Sequence, residues 1–364
     1  MDASAGRMMT PHPRILLRAT NWVGDAVMSL PAVEQIRLAF PQAHLAVLAR
    51  PWVAGLYRQP LVDEVILYTA ATDWKDVLGR WRLAAALRAR RFDMAILLPN
   101  AFDAALLAWM AGIPVRIGYA VQRRGPLLTA PVTVPAAGEI PRHQSYYYLE
   151  LLRRAGLLQA LPEPPLIRFH DLRGLRRAGE RRLPGVWIGV APGSANGHAK
   201  RWLPERFAAA AAAAATAAGA KVAVFGSPDD RVLCDRVADM VRGRGVDTIN
   251  FAGITGIGDV LELTAACAAF IANDSGSMHV ADALGVPTVA VFGPTDPEAT
   301  GPGGPLSAVV REPVDCGPCL LHECPLDHRC MEAVQAGRVA AEVTRVLGLA
   351  RSDAPQGSTE TVTS

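Results

Sequence analysis

Alternation of short apolar runs with helical segments is the feature that most restricts the fold of this chain. The runs are "RILLRA", "HLAVLA", "EVILY" and "FDMAILLP" in the first half, and "VWIGVAP", "KVAVFG", "AAFIAN" and "TVAVFG" in the second. Continuous apolar strands that alternate with helices are typical of parallel sheets covered on both faces. The sequence therefore predicts an α/β fold.

The two halves also repeat each other at an offset of 173 residues. The matched positions are Asn100, Gly112 and Pro114 against Asn273, Gly285 and Pro287, and Leu30-Pro31 against Leu203-Pro204. We interpret Asn100 and Asn273 as strand ends, and both Leu-Pro pairs as helix starts. Two matches at one offset favour duplicated doubly wound, Rossmann-like domains, whose ligands bind at the carboxyl ends of the strands. We predict domains at 14–178 and 179–350 that face each other across a cleft, between disordered termini at 1–13 and 351–364.

Composition and charge restrict the function classes. The chain has 364 residues, and no apolar stretch reaches the ~18 residues that span a bilayer. The start lacks an apolar signal segment, so we expect a cytoplasmic protein. Residues 1–182 hold 24 Lys/Arg against 14 Asp/Glu, a net +10, whereas residues 183–364 hold 13 against 20, a net −7. A basic half suggests an anionic partner, although a solvated arginine-rich surface explains any single cluster equally well.

The segment "RATNWVGDAVMSLP" places a carboxylate, Asp25, where a strand passes into a helix. Such a turn usually binds anions through free backbone N–H groups, which a carboxylate opposes. Asp25 is either a helix N-cap or a functional acid facing the strand-end loops. The residues alone do not separate these two interpretations.

The segment "IANDSGSMHVADALGVP" is the best phosphate-binding candidate. A strand ends at Asn273-Asp274 and a helix follows from about Ser275-Gly276, so free N–H groups and the positive helix dipole would meet an anion. Gly276 would let a phosphate approach the backbone closely. Asp274 is either an N-cap or a ligand of sugar hydroxyls.

Two further strand-end loops carry candidates. In "GVAPGSANGHAKRWLPERF", Lys200 precedes a helix start, where positive charge is mildly unfavourable. It is either a surface lysine or a group that stabilises a leaving diphosphate. The loop "VFGSPDD" would suit a nucleoside. The sequence contains no DxD metal motif, no G-x-G-x-x-G after a strand and no G-x-x-x-x-G-K-[ST], which argues against metal-dependent transfer, dinucleotide oxidoreductases and P-loop enzymes.

The blocks "NWVGDAVMSLP", "PGSANGHAKRW", "FGSPDD" and "NDSGSMHVADALGVPTVAVFGPT", in this order, resemble the conserved blocks of glycosyltransferase family 9. The resemblance runs from about Arg14 to about Leu347. It implies the GT-B fold, with an acceptor-binding N-terminal domain and an ADP-sugar-binding C-terminal domain. It also implies inverting, metal-independent transfer from ADP-heptose, without a cofactor. The implied acceptor is the first heptose of the lipopolysaccharide inner core, on lipid A-Kdo2, met at the anionic inner-membrane leaflet by peripheral contact.

Carried over block by block, the resemblance implies that Asp25 is the general base and that Lys200 stabilises the departing ADP. The implied substrate-binding residues are Asn21, Gly24, Ser194, Asn196, Lys200, Gly226, Asp274, Ser275, Gly276, Met278 and His279. The blocks "NWVGD" and "LPNAFDAALLAWMAGIP" favour addition of the second heptose over the first. The alternatives are another family 9 transferase with a different heptose acceptor or ADP-sugar, and a nucleotide-sugar-binding protein without turnover. Nucleic-acid binding would rest on arginine counts alone.

The segment "CGPCLLHECPLDHRC" collects Cys316, Cys319, Cys324 and Cys330. The opening C-x₂-C is typical of zinc sites, but the later spacings match neither a common zinc finger nor a ferredoxin cluster. Stable disulfides are not expected in a reducing cytoplasm. A structural metal clip and a loop packed by reduced thiols both fit, and we assign no metal.

Overall fold

The computed structural model describes residues 12–69, 76–163, 167–195 and 197–352. By contacts, the chain divides into two units. The first runs to Asp171 and takes in Gly256–Gly258, and the second comprises Leu172–Thr255 and the residues from Asp259 onward. A boundary at 178/179 would cut a helix that spans Leu172–Arg182. Residues 1–11 and 353–364, most of the two termini predicted to be disordered, lie outside the described residues.

The first unit is built on a six-stranded parallel sheet of order β3-β2-β1-β4-β5-β6. Its strands are β1 Arg14–Arg18, β2 His44–Ala49, β3 Glu64–Leu67, β4 Met94–Leu97, β5 Val115–Tyr119 and β6 Ala130–Val132. Its helices are α1 Val23–Met28, α2 Leu30–Ala39, α3 Pro51–Ala54, α4 Val77–Ala89, α5 Phe102–Met110 and α6 Gln144–Arg154. The strands in the middle of the sheet, β1, β2 and β4, are almost wholly buried, as expected for a parallel sheet that is covered on both faces.

The second unit repeats this architecture with a six-stranded parallel sheet of order β12-β11-β10-β7-β8-β9. Its strands are β7 Trp187–Ala191, β8 Lys221–Val224, β9 Thr248–Asn250, β10 Ala269–Asn273, β11 Thr288–Phe292 and β12 Ser307–Arg311. Its helices are α7 Leu172–Arg182, α8 Pro204–Ala218, α9 Arg231–Arg242, α10 Ile257–Ala265, α11 Gly276–Ala283, α12 Pro297–Thr300, α13 Arg329–Ala333 and α14 Ala336–Ser352.

Numbered within its own unit, each sheet has the strand order 3-2-1-4-5-6, the Rossmann arrangement. The offset of 173 residues superimposes β1 on β7 and β5 on β11 without any shift, since 187 − 14 and 288 − 115 are both 173. The duplication predicted from the sequence is therefore confirmed. One detail was wrong: β4 ends at Leu97, so Asn100 lies beyond its strand, whereas Asn273 is the last residue of β10.

The alanine-rich segment forms α8, as its helix propensity predicts. Alanines 208, 210, 211, 212, 214 and 215 are buried in the core of the second unit. Their small side chains let α8 lie close to the sheet and to α14. The helix ends at Gly219, whose positive φ of 61° is the left-handed conformation that commonly closes a helix.

Candidate active site

Asp25 lies in the first turn of α1, directly after the loop that leaves β1. The N-cap of α1 is Trp22, so the N-cap interpretation of Asp25 is wrong. Asp25 is half-buried, and its Oδ1 accepts a hydrogen bond of 2.9 Å from the hydroxyl of Tyr148 on α6. A carboxylate in a first helical turn interacts favourably with the helix dipole.

The loop before α1 is fixed by hydrogen bonds. The Oδ1 of Asn21 accepts from Nη2 of Arg18 at 2.7 Å, and the carbonyl of Asn21 accepts from the indole N–H of Trp52 at 2.7 Å. Gly24 is the second residue of α1. The residues predicted from the "NWVGD" block therefore lie together at the carboxyl edge of the first sheet.

Lys200 and Asp274 form the central contact of the second unit. Lys200 ends a 3₁₀ turn at His198–Lys200, and its Nζ lies 2.6 Å from Oδ2 of Asp274. The side chain of Asp274 is 4% exposed and that of Lys200 is 15% exposed. The surface-lysine interpretation of Lys200 is therefore wrong. The N-cap interpretation of Asp274 is wrong as well, because Ser275 occupies the N-cap of α11.

The amino end of α11 has the features of an anion site. Its N-cap, Ser275, is extended, and Gly276 begins the helix. Within the described residues, the buried hydroxyl of Ser275 has no hydrogen-bond partner. The first backbone N–H groups of a helix also lack intrahelical partners. Met278 and His279, also predicted to bind substrate, are buried at 0% and 5% exposure.

Asn273 holds this edge of the sheet together, a role that the sequence reasoning missed. It is fully buried, and its amide donates to the carbonyl of Pro192 at 2.8 Å while its Oδ1 accepts from the backbone N–H of Trp202 at 3.0 Å. These bonds tie the loop that carries Lys200 to the end of β10. The pattern of an asparagine at a buried strand end was the available signal.

The remaining predicted residues lie in two neighbouring loops. Ser194, after β7, is 4% exposed, and its carbonyl accepts from Arg201 at 3.3 Å. Gly226 follows β8, and a Cβ there would come 2.6 Å from the sulfur of Cys234, so close packing alone accounts for this glycine. Asn196 lies outside the described residues.

The cysteine-rich segment packs against the loop of Lys200. The N–H of Ala199 donates to the carbonyl of His322 at 3.0 Å. Gly197 has a φ of 95°, and a Cβ on it would lie 2.3 Å from the carbonyl oxygen of His322. Only a glycine at position 197 lets the two backbone segments come this close without moving one of them.

All six cysteines are free thiols. Burial raises the pKa of the Cys330 thiol, and the neighbouring thiols of Cys316, Cys324 and Cys319 raise it further. Nowhere in the described ranges do three His, Cys, Asp or Glu side chains come together to hold a metal ion. In the structure, this segment contacts the Lys200 loop through His322.

Two Rossmann-like units, each with polar groups at the carboxyl edge of its sheet, are the architecture of the GT-B fold class. The lysine–carboxylate pair at the amino end of α11 fits an activated diphosphate donor of that class.

Comparison with known proteins agrees with this class. The sequence model of glycosyltransferase family 9 (heptosyltransferase) matches residues 80–329. Lipopolysaccharide heptosyltransferase 2 of Escherichia coli strain K12 is 32% identical over 312 residues, which cover 82% of this chain and 88% of that protein. The enzyme of the same name from Salmonella typhimurium strain LT2 is 33% identical over 313 residues, with the same coverage.

Solved structures show the same likeness. The structure of E. coli ADP-heptose LPS heptosyltransferase II matches with a TM-score of 0.77 and 29% identity, covering 93% of this chain and 99% of that one. A family 9 glycosyl transferase from Veillonella parvula DSM 2008 matches in fold, with a TM-score of 0.79, 23% identity, and coverage of 94% and 99%. The chain belongs to glycosyltransferase family 9 and is a glycosyltransferase. Its relatives support heptose transfer in lipopolysaccharide core biosynthesis.

Proposed function

We propose that this chain transfers L-glycero-D-manno-heptose from ADP-heptose to the first heptose of the lipopolysaccharide inner core, on lipid A-Kdo2. The observation that carries the proposal is the buried pair of Lys200 and Asp274 at the amino end of α11. Relatives named for the second heptosyl transfer support the choice of donor and acceptor.

On the donor side, the free N–H groups at Ser275 and Gly276 bind the diphosphate of ADP-heptose. Lys200 stabilises the negative charge that grows on ADP as the glycosidic bond breaks, and Asp274 orients heptose hydroxyls. Preorganised backbone dipoles and one ammonium group supply the charge that a divalent cation supplies in other transferases. The proposed transfer is therefore independent of added metal.

On the acceptor side, Asp25 is the general base. The acceptor hydroxyl oxygen forms a bond to the anomeric carbon of the donor as the bond from that carbon to the β-phosphate oxygen breaks. The hydroxyl proton passes to Asp25, and ADP leaves. A single in-line displacement of this kind inverts the anomeric configuration. General-base assistance contributes a factor of ~10²–10⁴ to the rate.

We also propose that the enzyme works on the cytoplasmic side of the inner membrane, through peripheral contact with the anionic leaflet. In the parts of the chain that the structure describes, no helix is both long enough and apolar enough to cross a membrane. At the start of α4, Val77, Leu78 and Trp81 are 63%, 58% and 61% exposed. The helix contains no acidic residue; of its three arginines, Arg80 is buried against Asp103, and the other two are exposed. Exposed apolar groups among arginines favour binding to an anionic lipid surface.

Sedimentation with phosphatidylglycerol vesicles tests this contact. Leu78→Ser should weaken binding. The control is Leu38→Ser, because Leu38 is 65% exposed but lies on α2, and this variant should bind as the wild type does. Equal binding by both variants would contradict the assignment of this surface.

A transfer assay tests the proposed function itself. ADP-heptose is supplied with lipid acceptors that carry zero, one or two heptoses, and we expect turnover only with the single-heptose acceptor. Turnover with another acceptor, or only with another ADP-sugar, would make the chain a different family 9 transferase. ADP-heptose binding without any turnover would make it a non-catalytic nucleotide-sugar-binding protein.

A further inference from the structure

Helix α6 carries three consecutive tyrosines near its start, Tyr146, Tyr147 and Tyr148. An apolar face on such a helix needs no functional explanation, because aromatic side chains commonly fill a core. The hydroxyl groups, however, connect α6 to the loop after β4 and to α1, both at the carboxyl edge of the first sheet. Tyr147 accepts from Nδ2 of Asn100 at 2.7 Å, and Tyr148 donates to Asp25 at 2.9 Å.

The position of α6 is fixed independently of Asp25. The ring of Tyr147 lies 4.5 Å, centroid to centroid, from that of Tyr119, whose hydroxyl donates to the carbonyl of Tyr147 at 2.8 Å. Arg154, at the end of α6, donates to the carbonyl of Thr133 at 3.2 Å and pairs with Glu139, and both partners lie outside the helix. The hydroxyl of Tyr148 is therefore held in place by its own helix. Tyr148 and Asp25 are 123 residues apart in the sequence.

We infer that Tyr148 is a positioning residue for Asp25: its hydroxyl holds Oδ1 and so sets the orientation in which the carboxylate takes the acceptor proton. This inference rests on the proposed role of Asp25 as the base. A carboxylate that is free to rotate would spend part of its time away from the attacking hydroxyl, and a misplacement of ~1 Å can cost ~10²-fold in rate.

The surroundings keep Tyr148 in its donor state. Burial holds the pKa of Tyr148 well above its ordinary value, and the charge of Asp25 raises it further. Tyr57, which follows α3, also raises the pKa of Tyr148; burial raises the pKa of Tyr57 itself, and the charge of Arg18 lowers it. The side chain of Gln144, at the start of α6, partly offsets the rise in the pKa of Tyr148. Both tyrosines therefore stay neutral at working pH.

The test is Tyr148→Phe, with Tyr146→Phe as its matched control. Tyr146 is buried on the same helix, and the carboxylate that influences it is Glu163 rather than Asp25. A hydrogen bond to an ionised carboxylate favours ionisation, so its loss raises the carboxylate pKa. The base works when deprotonated. The acidic limb of kcat/KM should therefore move to higher pH, by about one unit, in Tyr148→Phe. kcat should fall by about 10- to 100-fold, whereas ADP-heptose binding and the kinetics of Tyr146→Phe should match the wild type.

Wild-type kcat and an unmoved acidic limb in Tyr148→Phe would overturn the inference. If that variant fails to fold, replacing Tyr148 by 3-fluorotyrosine gives an isosteric test, because the more acidic phenol should move the limb to lower pH, and an unmoved limb would again overturn it. Asp25→Asn separates the two claims. Turnover at the wild-type rate in Asp25→Asn would refute the proposed base, whereas a strongly impaired Asp25→Asn with an unaffected Tyr148→Phe would refute only the positioning role.

Discussion

Replacing Lys200 with methionine should destabilise the second unit as well as stop catalysis. The Nζ of Lys200 lies 2.6 Å from the carboxylate of Asp274, which is 4% exposed. The variant Lys200→Met would leave that carboxylate buried without its cation. Removing one partner of a buried ion pair costs about 3–5 kcal/mol, because the remaining charge is uncompensated.

The expected change in melting temperature follows from that cost. For domains of 150–250 residues, 1 kcal/mol shifts Tm by about 2–4 °C, so a loss of about 3 kcal/mol should lower Tm by about 6–12 °C. The double variant Lys200→Met/Asp274→Asn should recover part of this loss, since it removes the unpaired charge.

Differential scanning calorimetry with a matched control tests the reasoning. Lys221 pairs with Asp247 at 3.6 Å in the same unit, but the two side chains are 50% and 79% exposed. Exposed pairs contribute about 0–1 kcal/mol, so Lys221→Met should melt close to the wild type. The reasoning fails if Lys200→Met melts as Lys221→Met does, or if the double variant is less stable than Lys200→Met.

Two further outcomes follow from the same site. Treating the purified enzyme with EDTA should leave the transfer rate unchanged, because Lys200 and backbone N–H groups supply the charge at the diphosphate; strong inhibition that Mg²⁺ reverses would contradict this. Gly197→Ala should lower kcat or ADP-heptose affinity at least tenfold, because its Cβ would lie 2.3 Å from the carbonyl oxygen of His322 and displace the Lys200 loop. The control is Gly219→Ala, at a helix end, where the new Cβ has no atom within 4 Å; this variant should affect stability alone. Equal kinetics in these two glycine variants would show that the loop tolerates the displacement.

The sequence predicted the central strands well because they are buried on both faces. A strand such as β10 or β11 has only buried residues, so it stands out as a continuous apolar run. Three of the four edge strands were missed, whereas β3, also at an edge, was predicted as "EVILY". Ala130–Val132 and Thr248–Asn250 are three residues long and partly exposed, and Ser307–Arg311 mixes polar with apolar residues. Nothing in such a segment distinguishes a strand from a loop until its neighbour is in place.

The two halves of the candidate site differ in how far the sequence revealed them. Lys200 and Asp274 follow β7 and β10, which the structure pairs side by side, and each loop carried its own signal. The contact between Tyr148 and Asp25 had no comparable signal, because a tyrosine in an amphipathic helix is typical of an ordinary core. The N-cap interpretations of Asp25 and Asp274 were wrong for a common reason: helix starts shifted by one to three residues move a carboxylate into or out of the cap.

Asp25→Asn provides the most direct test of the proposed mechanism. The substitution keeps the size of the side chain but removes the proton acceptor, so transfer from ADP-heptose to the single-heptose acceptor should fall by ~10²-fold or more. Calorimetric titration should show that the variant still binds ADP-heptose with nearly wild-type affinity. Turnover at the wild-type rate in Asp25→Asn would contradict the account.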